Sequence, residues 1–100
     1  AKSISPVVRE RDSYTCQNCN DYGAKLIAHH IFDFATYSNL KFEKSNLITL
    51  CKTCHDNFHS IYPRKGTNTL DNLESWLEKD YMYRDELLDR YNFYYPFIGQ

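Results

Sequence analysis

The sequence predicts a small α+β fold: a two-stranded hairpin that feeds one helix, both built around bound metal. Three observations carry this. Two Cys-x-x-Cys pairs, Cys16/Cys19 and Cys51/Cys54, each with the knuckle spacing that closes a tetrahedral site, are separated by 31 intervening residues. Two short apolar runs, residues 26–31 and 46–50, have the length of strands. In CKTCHDNFH, residues 51–59, His55 and His59 lie one helical turn apart, so one ion can take both.

One hundred residues is a single-domain length. With 42% hydrophobic and 16% aromatic residues the chain supports a modest core, and a domain this small gains from a metal staple. A formal net charge of -1 excludes a global basic field. Residues 1–60 hold seven Lys and Arg against six Asp and Glu, and residues 61–100 hold five against seven. Any surface for a polyanion is therefore local. No stretch reaches transmembrane length, which argues against a membrane partner, and no signal-peptide pattern opens the chain. Ala1 in place of Met is what a piece of something longer would carry. Paired cysteines without a secretory signature point to zinc rather than disulfides, and to a reducing, cytoplasmic setting.

The elements follow in order. Ser5 and Pro6 open a short helix as cap and first residue, and it ends near Ser13. Val7 and Val8 are expected to pack inward, with Arg9 and Arg11 toward solvent or an anion. Residues 14–23 form the first knuckle, followed by a positive φ at Gly23. Residues 26–31 are a strand on which neighbours face opposite ways, so His29 and His30 must diverge. Residues 32–45 mix four aromatics with Asn, Ser and charges and read as an ordered loop. Within it, Tyr37 and Phe42 are expected to fill the core rather than stack on bases. Residues 46–50 form the second strand, which pairs with the first and runs into Cys51. The helix of His55 and His59 spans Thr53 to about Ile61.

Residues 63–68, PRKGTN, are turn chemistry and divide a metal-binding unit, residues 1–62, from a helical extension, residues 63–100. Leu70, Leu73, Leu77, Tyr81, Arg84, Leu88 and Tyr91 follow helical spacing behind a cap at Asn68 or Thr69. They form one helix, or two broken near Asp80 and Tyr81. The aromatic end, YNFYYPFI, is expected to pack back onto the domain or onto a partner.

Cys16, Cys19, Cys51 and Cys54 complete a structural zinc site with no open position, and its binding free energy is partly folding free energy. His29, His30, Asn46, His55 and His59 are then free for other work, and these four histidines are all the chain has. A lone histidine is most often a filler. Four at converging strand and helix positions are a different matter. His55, His59 and one strand histidine make a three-nitrogen site with room for water and substrate, the arrangement of a catalytic metal.

The run AHHI, then SNLITLC, then CHDNFH resembles the HNH nucleases, the ββα-metal or His-Me finger group. The version flanked by two CxxC knuckles is common among phage, restriction and homing-type endonucleases. The resemblance covers about residues 5–62 and leaves residues 63–100 outside. It implies that the first of the paired strand residues holds the metal and the second is the general base. His29 stands where many members carry Asp, as in the colicin-type nucleases, and His59 where many carry Lys or Asn. The implied ligands are His29, His55 and His59, with His30 facing the attacking water. Asn46, the motif's middle letter, would hydrogen-bond across the loop and hold His30 in place.

The implied activity is metal-dependent hydrolysis of DNA phosphodiesters by one divalent ion, leaving 5′-phosphate and 3′-hydroxyl ends. Three imidazoles suit Zn2+, Ni2+, Co2+ or Mn2+ better than Mg2+, although members often work with magnesium. Arg9, Arg11, Lys44, Arg64 and Lys65, with Lys25 and Lys41, are candidate phosphate contacts, Arg9 and Arg11 foremost. The extension would pack on the core, or serve dimerisation or DNA contact, and a homodimer would bring two active sites to the two strands. The competing reading is a zinc-stapled nucleic-acid-binding module without catalysis. The histidine set argues against it, because a binder needs no general base.

Overall fold

The structure, a computed structural model, describes residues 4–23 and 25–96. Its elements are α1 (Ser5–Arg11), β1 (Leu26–His30), β2 (Leu47–Cys51), α2 (Lys52–Ile61), α3 (Leu70–Leu77) and α4 (Arg84–Tyr94). Two 3-10 turns, Ser38–Leu40 and Lys44–Asn46, order the loop between the strands. This is the predicted α+β fold, a ββα unit with one helix before it and two after.

The strands pair antiparallel, with Leu26 opposite Cys51 and His30 opposite Leu47. The period of two on β1 puts His29 on the buried face, 4% exposed, and leaves His30 half-buried on the other. β2 is buried along its whole length, since α1 packs on the hairpin as α2 does, and LITLC is accordingly apolar except for Thr49, whose hydroxyl donates to the Val8 carbonyl at 3.5 Å. It ends on Cys51, whose sulfur caps α2 by accepting the Cys54 N–H at 3.4 Å. One residue thus ends the strand, starts the helix and presents a thiol.

Helix α1 begins a residue earlier than expected, with Ile4 at the cap position and the proline in its first turn. Val8 is fully buried but Val7 is 53% exposed, which corrects the expectation that both pack inward. Adjacent side chains on a helix diverge by about 100°, and so short a helix meets the hairpin along one line. Gly23 takes the predicted positive φ, 73°. The inter-strand loop buries Phe32, Tyr37 and Leu40. Phe42, expected in the core, is 54% exposed, with the Lys41 ammonium 5.4 Å from its ring centroid.

Helices α3 and α4 close the core, where Leu73 and Leu87 join Phe58, Ile31 and Leu50 in one cluster. The helical spacing resolves into two helices. α3 stops at Glu78 in the left-handed region, φ 58°. The Glu74 carboxylate takes the Tyr81 N–H at 2.8 Å and the Arg84 guanidinium at 2.9 and 3.2 Å, which fixes the corner. Thr69 is the cap. Tyr81 donates its hydroxyl to the Ser45 carbonyl at 2.7 Å, and Tyr91 stacks on Phe32 at 4.7 Å. Tyr95 meets Tyr37 edge-on at 5.4 Å, so the aromatic end folds back onto the loop. Phe97 and Ile98 lie outside the described residues. The radius of gyration, 13.0 Å, matches the ~13 Å of a folded 100-residue chain, so the extension lies against the core. Among the described residues no helix is long and apolar enough to cross a membrane.

Candidate active site

Helix α2 crosses the hairpin so that His55 and His59, four residues apart, lie over His29 of β1. Their ring centroids stand 5.3 Å (His29–His55), 5.3 Å (His29–His59) and 4.6 Å (His55–His59) apart. One nitrogen of each ring lies within 4.8 Å of the others. His29 Nε2 and His55 Nδ1 are buried without a hydrogen-bond partner. His59 Nδ1 lies 2.9 Å from the Tyr62 carbonyl, which only accepts, so Nδ1 carries a proton and Nε2 is the ring nitrogen left to face a ligand. Burial, then the neighbouring His55 and His59, presses the His29 pKa down to about 3. Burial, then His59 and Arg64, presses that of His55 to about 4. Both rings are neutral near pH 7. A buried nitrogen without a partner costs about 1–3 kcal/mol, and a cation placed among these lone pairs removes that cost. The donor set fits a divalent ion of the nitrogen-preferring kind.

His30 enters the same cleft from the other strand face. Its Nε2 lies 3.0 Å from the Lys41 carbonyl, so Nε2 is the protonated nitrogen and Nδ1 is left to accept. Burial lowers its pKa, the Lys41 ammonium adds to this, and the Lys41 carbonyl opposes it. The cleft holds about 260 Å3, and Asp33, Phe34, Arg64 and Asn68 line it together with the four histidines. A larger cavity of about 340 Å3, between Asp12, Ile48 and Tyr81, contains no histidine or cysteine and is no rival for this chemistry.

The second cluster lies at the start of α2. The sulfurs of Cys16, Cys19, Cys51 and Cys54 fall within 4.8 Å of one another, and all four are free thiols. Asn18 Nδ2 donates to Cys54 Sγ at 3.3 Å. The knuckle is tied to β2 by Gln17 N–H to the Thr49 carbonyl at 2.9 Å. Burial works against a Cys16 thiolate, but the backbone N–H groups of Cys19, Cys51 and Asn18 outweigh it and bring the pKa to about 7. Burial pushes Cys54 up to about 12. Four sulfurs in one place are a set that a divalent cation completes by displacing protons.

A family model described as HNH endonuclease matches residues 16–61. A probable HNH endonuclease of Lactococcus phage SK1 is 35% identical over 72 aligned residues, covering 66% of this chain and 77% of that protein. The chain belongs to the HNH endonuclease family. It is therefore a nuclease, a hydrolase of phosphodiester bonds. No solved structure matches it significantly.

The letters of the HNH motif can now be placed. Asn46 is fully buried: Oδ1 accepts Phe32 N–H at 2.8 Å, and Nδ2 donates to the Phe32 and Leu40 carbonyls at 3.0 and 3.2 Å. It pins both ends of the loop, and the Leu40 carbonyl it holds precedes the Lys41 carbonyl that holds His30. The link from Asn46 to His30 thus runs through backbone rather than side chain to side chain.

Of the basic residues expected at phosphate, Arg11 is held within the fold instead of pointing to solvent, its side chain 14% exposed. Its guanidinium donates to both Asp12 oxygens at 2.9 Å and to the Lys44 and Leu47 carbonyls at 2.7 Å, and it lies 4.4 Å from the Tyr83 ring centroid. Four of its five N–H donors are taken up inside the fold, joining the end of α1 to Lys44 and to β2. Arg9 is half-exposed beside Tyr14 and Tyr22, away from the cleft. Lys25, Lys41, Lys44 and Lys65 are exposed, and Arg64 reaches the cleft itself. Sequence reasoning missed Asp33, Phe34, Asn68 and the Lys41 carbonyl. Asp33 and Phe34 follow the histidine pair closely enough to have been noticed, whereas a backbone carbonyl has no letter in the sequence.

Proposed function

We propose that this HNH endonuclease hydrolyses DNA phosphodiesters with His30 as general base, a divalent ion on His29, His55 and His59, and a structural zinc on the four cysteines. The supporting observation is the convergence of unpartnered imidazole nitrogens in the cleft that His30 shares. When bound there, the ion, Mg2+, Mn2+, Ni2+, Co2+ or Zn2+, supplies charge stabilisation for the scissile phosphate and the departing 3′ oxygen. His30 Nδ1 accepts a proton from water as the water oxygen bonds to phosphorus, and the Lys41 carbonyl stabilises the imidazolium that results. The bond from phosphorus to the 3′ oxygen breaks, that oxygen gains a proton from solvent, and the ends are 5′-phosphate and 3′-hydroxyl. Asn46 keeps the loop closed, and Arg64, Lys41, Lys44 and Lys65 neutralise phosphates around the cleft. Residues 1–62 act as the nuclease core and residues 63–100 as an extension that supports it.

The test is conversion of supercoiled plasmid by metal-depleted, zinc-reconstituted protein with each ion added back, beside His30→Ala. Wild-type conversion, lost in the variant, is expected. Equal cleavage by the variant would remove His30 from its role. Tight DNA binding without cleavage under any ion would favour the non-catalytic binding module.

A further inference from the structure

The segment that follows α2 lies beyond the stretch matched by the family, yet it returns to the cleft. Asp33 brings it there. Its Oδ1 accepts the Asn68 N–H at 2.9 Å, and its own N–H donates to the Asn68 carbonyl at 3.2 Å. Its Oδ2 takes the Thr36 N–H at 2.9 Å, which fixes the carboxylate. Asn68 is 4% exposed, and its side-chain amide donates to the Pro63 carbonyl at 3.4 Å. Gly66 N–H also reaches that carbonyl, at 3.0 Å. Residues 63–68 are thereby closed into a loop latched at one point to the segment after β1.

That loop carries Arg64. Its side chain is 66% exposed and its ion partner, Asp56, stands 4.0 Å away at a site itself half exposed. Such a pair is worth little, so the guanidinium is free to exchange a carboxylate for a phosphate. We propose that Asp33 and Asn68 are positioning residues that hold Arg64 over the histidine cleft, where its guanidinium binds the anionic oxygens of the substrate phosphate. The proposal rests on the nuclease reading and extends the site past the family motif. A flexible loop would have to order Arg64 on each encounter, and a latched one delivers it already placed. The alternative is that the latch only closes the connection from α2 to α3, with Arg64 an ordinary solvated charge.

The experiment compares Arg64→Ala, Asp33→Ala and the double variant by two readouts. The first is the salt dependence of binding to a labelled DNA duplex, with zinc-loaded protein and no added divalent ion. Arg64→Ala is expected to lower the slope by about one phosphate contact, and Asp33→Ala to lower it by part of that. The second is plasmid cleavage with the most active ion. Arg64→Ala is expected to reduce kcat at least about tenfold, less than the roughly 100- to 1,000-fold seen for a removed oxyanion-hole donor because the guanidinium is largely solvated. Asp33→Ala should reduce it less, and add nothing in the Arg64→Ala background.

An unchanged slope and kcat in Arg64→Ala would overturn the contact. Independent, multiplying losses in the double variant would overturn the positioning role, since a merely structural latch costs the same with or without Arg64. If Asp33→Ala does not fold, Asp33→Asn keeps one oxygen for the Asn68 N–H, and Asn68→Ala removes only the side-chain bond to the Pro63 carbonyl, which keeps the Gly66 N–H. Wild-type protein that never cleaves but shows the slope loss in Arg64→Ala would refute the nuclease reading and leave the phosphate contact standing.

Discussion

On β1 the alternation of side chains sends His29 beneath α2, where its Nε2 meets the other imidazoles, and leaves His30 with Nε2 on the Lys41 carbonyl. Two identical side chains, one residue apart, are set in different surroundings by direction alone. Replacing His30 by Ala should lower the cleavage rate by at least about 100-fold, with melting temperature and DNA affinity unchanged. A matching fall in stability would mean that the ring is structural. Asn46 makes a sharper case for structure. Asn46→Ala leaves the Phe32 N–H unpaired in a buried place, at a cost of about 1–3 kcal/mol. Asn46→Asp is expected to be worse, because it turns an oxygen toward the Phe32 and Leu40 carbonyls. Urea midpoints would rank the two, and the reverse order would contradict the amide orientation. The histidine pair and the asparagine were legible as letters. The carbonyls they bond were not, since every residue has one.

Helix α2 and the strand before it carry members of both clusters, Cys51 and Cys54 of one and His55 and His59 of the other, so what titrates these groups also acts on the element. His29 and His55 have pKa values depressed to about 3 and about 4 from an unfolded value of 6.5. Between those limits the unfolded chain binds more protons than the folded one, so stability rises with pH across the window and falls with acid. With the histidine site free of metal, the melting temperature should be flat above about pH 7. It should drop by roughly 5 °C or more as pH falls toward 5. His29→Ala should blunt that drop, and an acid response unaltered in the variant would show that other groups govern it. The hairpin was readable from strand length and from the run into Cys51, whereas the cap that the Cys51 sulfur gives α2 was not, since thiols are not among the usual capping groups. The break between α3 and α4 was readable only as a choice, because it is settled by Glu74 reaching forward to Tyr81 and Arg84. Such a contact belongs to tertiary structure and leaves no periodicity. For the same reason Arg11 read as a surface charge and proved to be a joint.

The whole molecule is small enough that its core spans the nuclease unit and the extension together. Leu73→Ala should therefore destabilise the entire fold by about 2–5 kcal/mol, as a cavity in a shared core does, and not merely loosen α3. Coincident denaturation followed by Trp76 fluorescence and by far-ultraviolet dichroism would establish this, and separate transitions would refute it. The cysteine cluster acts at the same scale, since it ties the first knuckle to β2 and α2. Extracting its ion should lower the melting temperature by roughly 10 °C or more, whereas emptying the histidine site should cost far less.

The central claim is that two metal sites with different duties lie on one helix. Counting bound ions by native mass spectrometry tests it most directly, using wild type and His29→Ala saturated with zinc and then with excess manganese or nickel. The account predicts two ions per chain in the wild type, one per cluster, and a single ion in His29→Ala, with plasmid cleavage lost along with the second. One ion in the saturated wild type, or a second that survives His29→Ala, would contradict it.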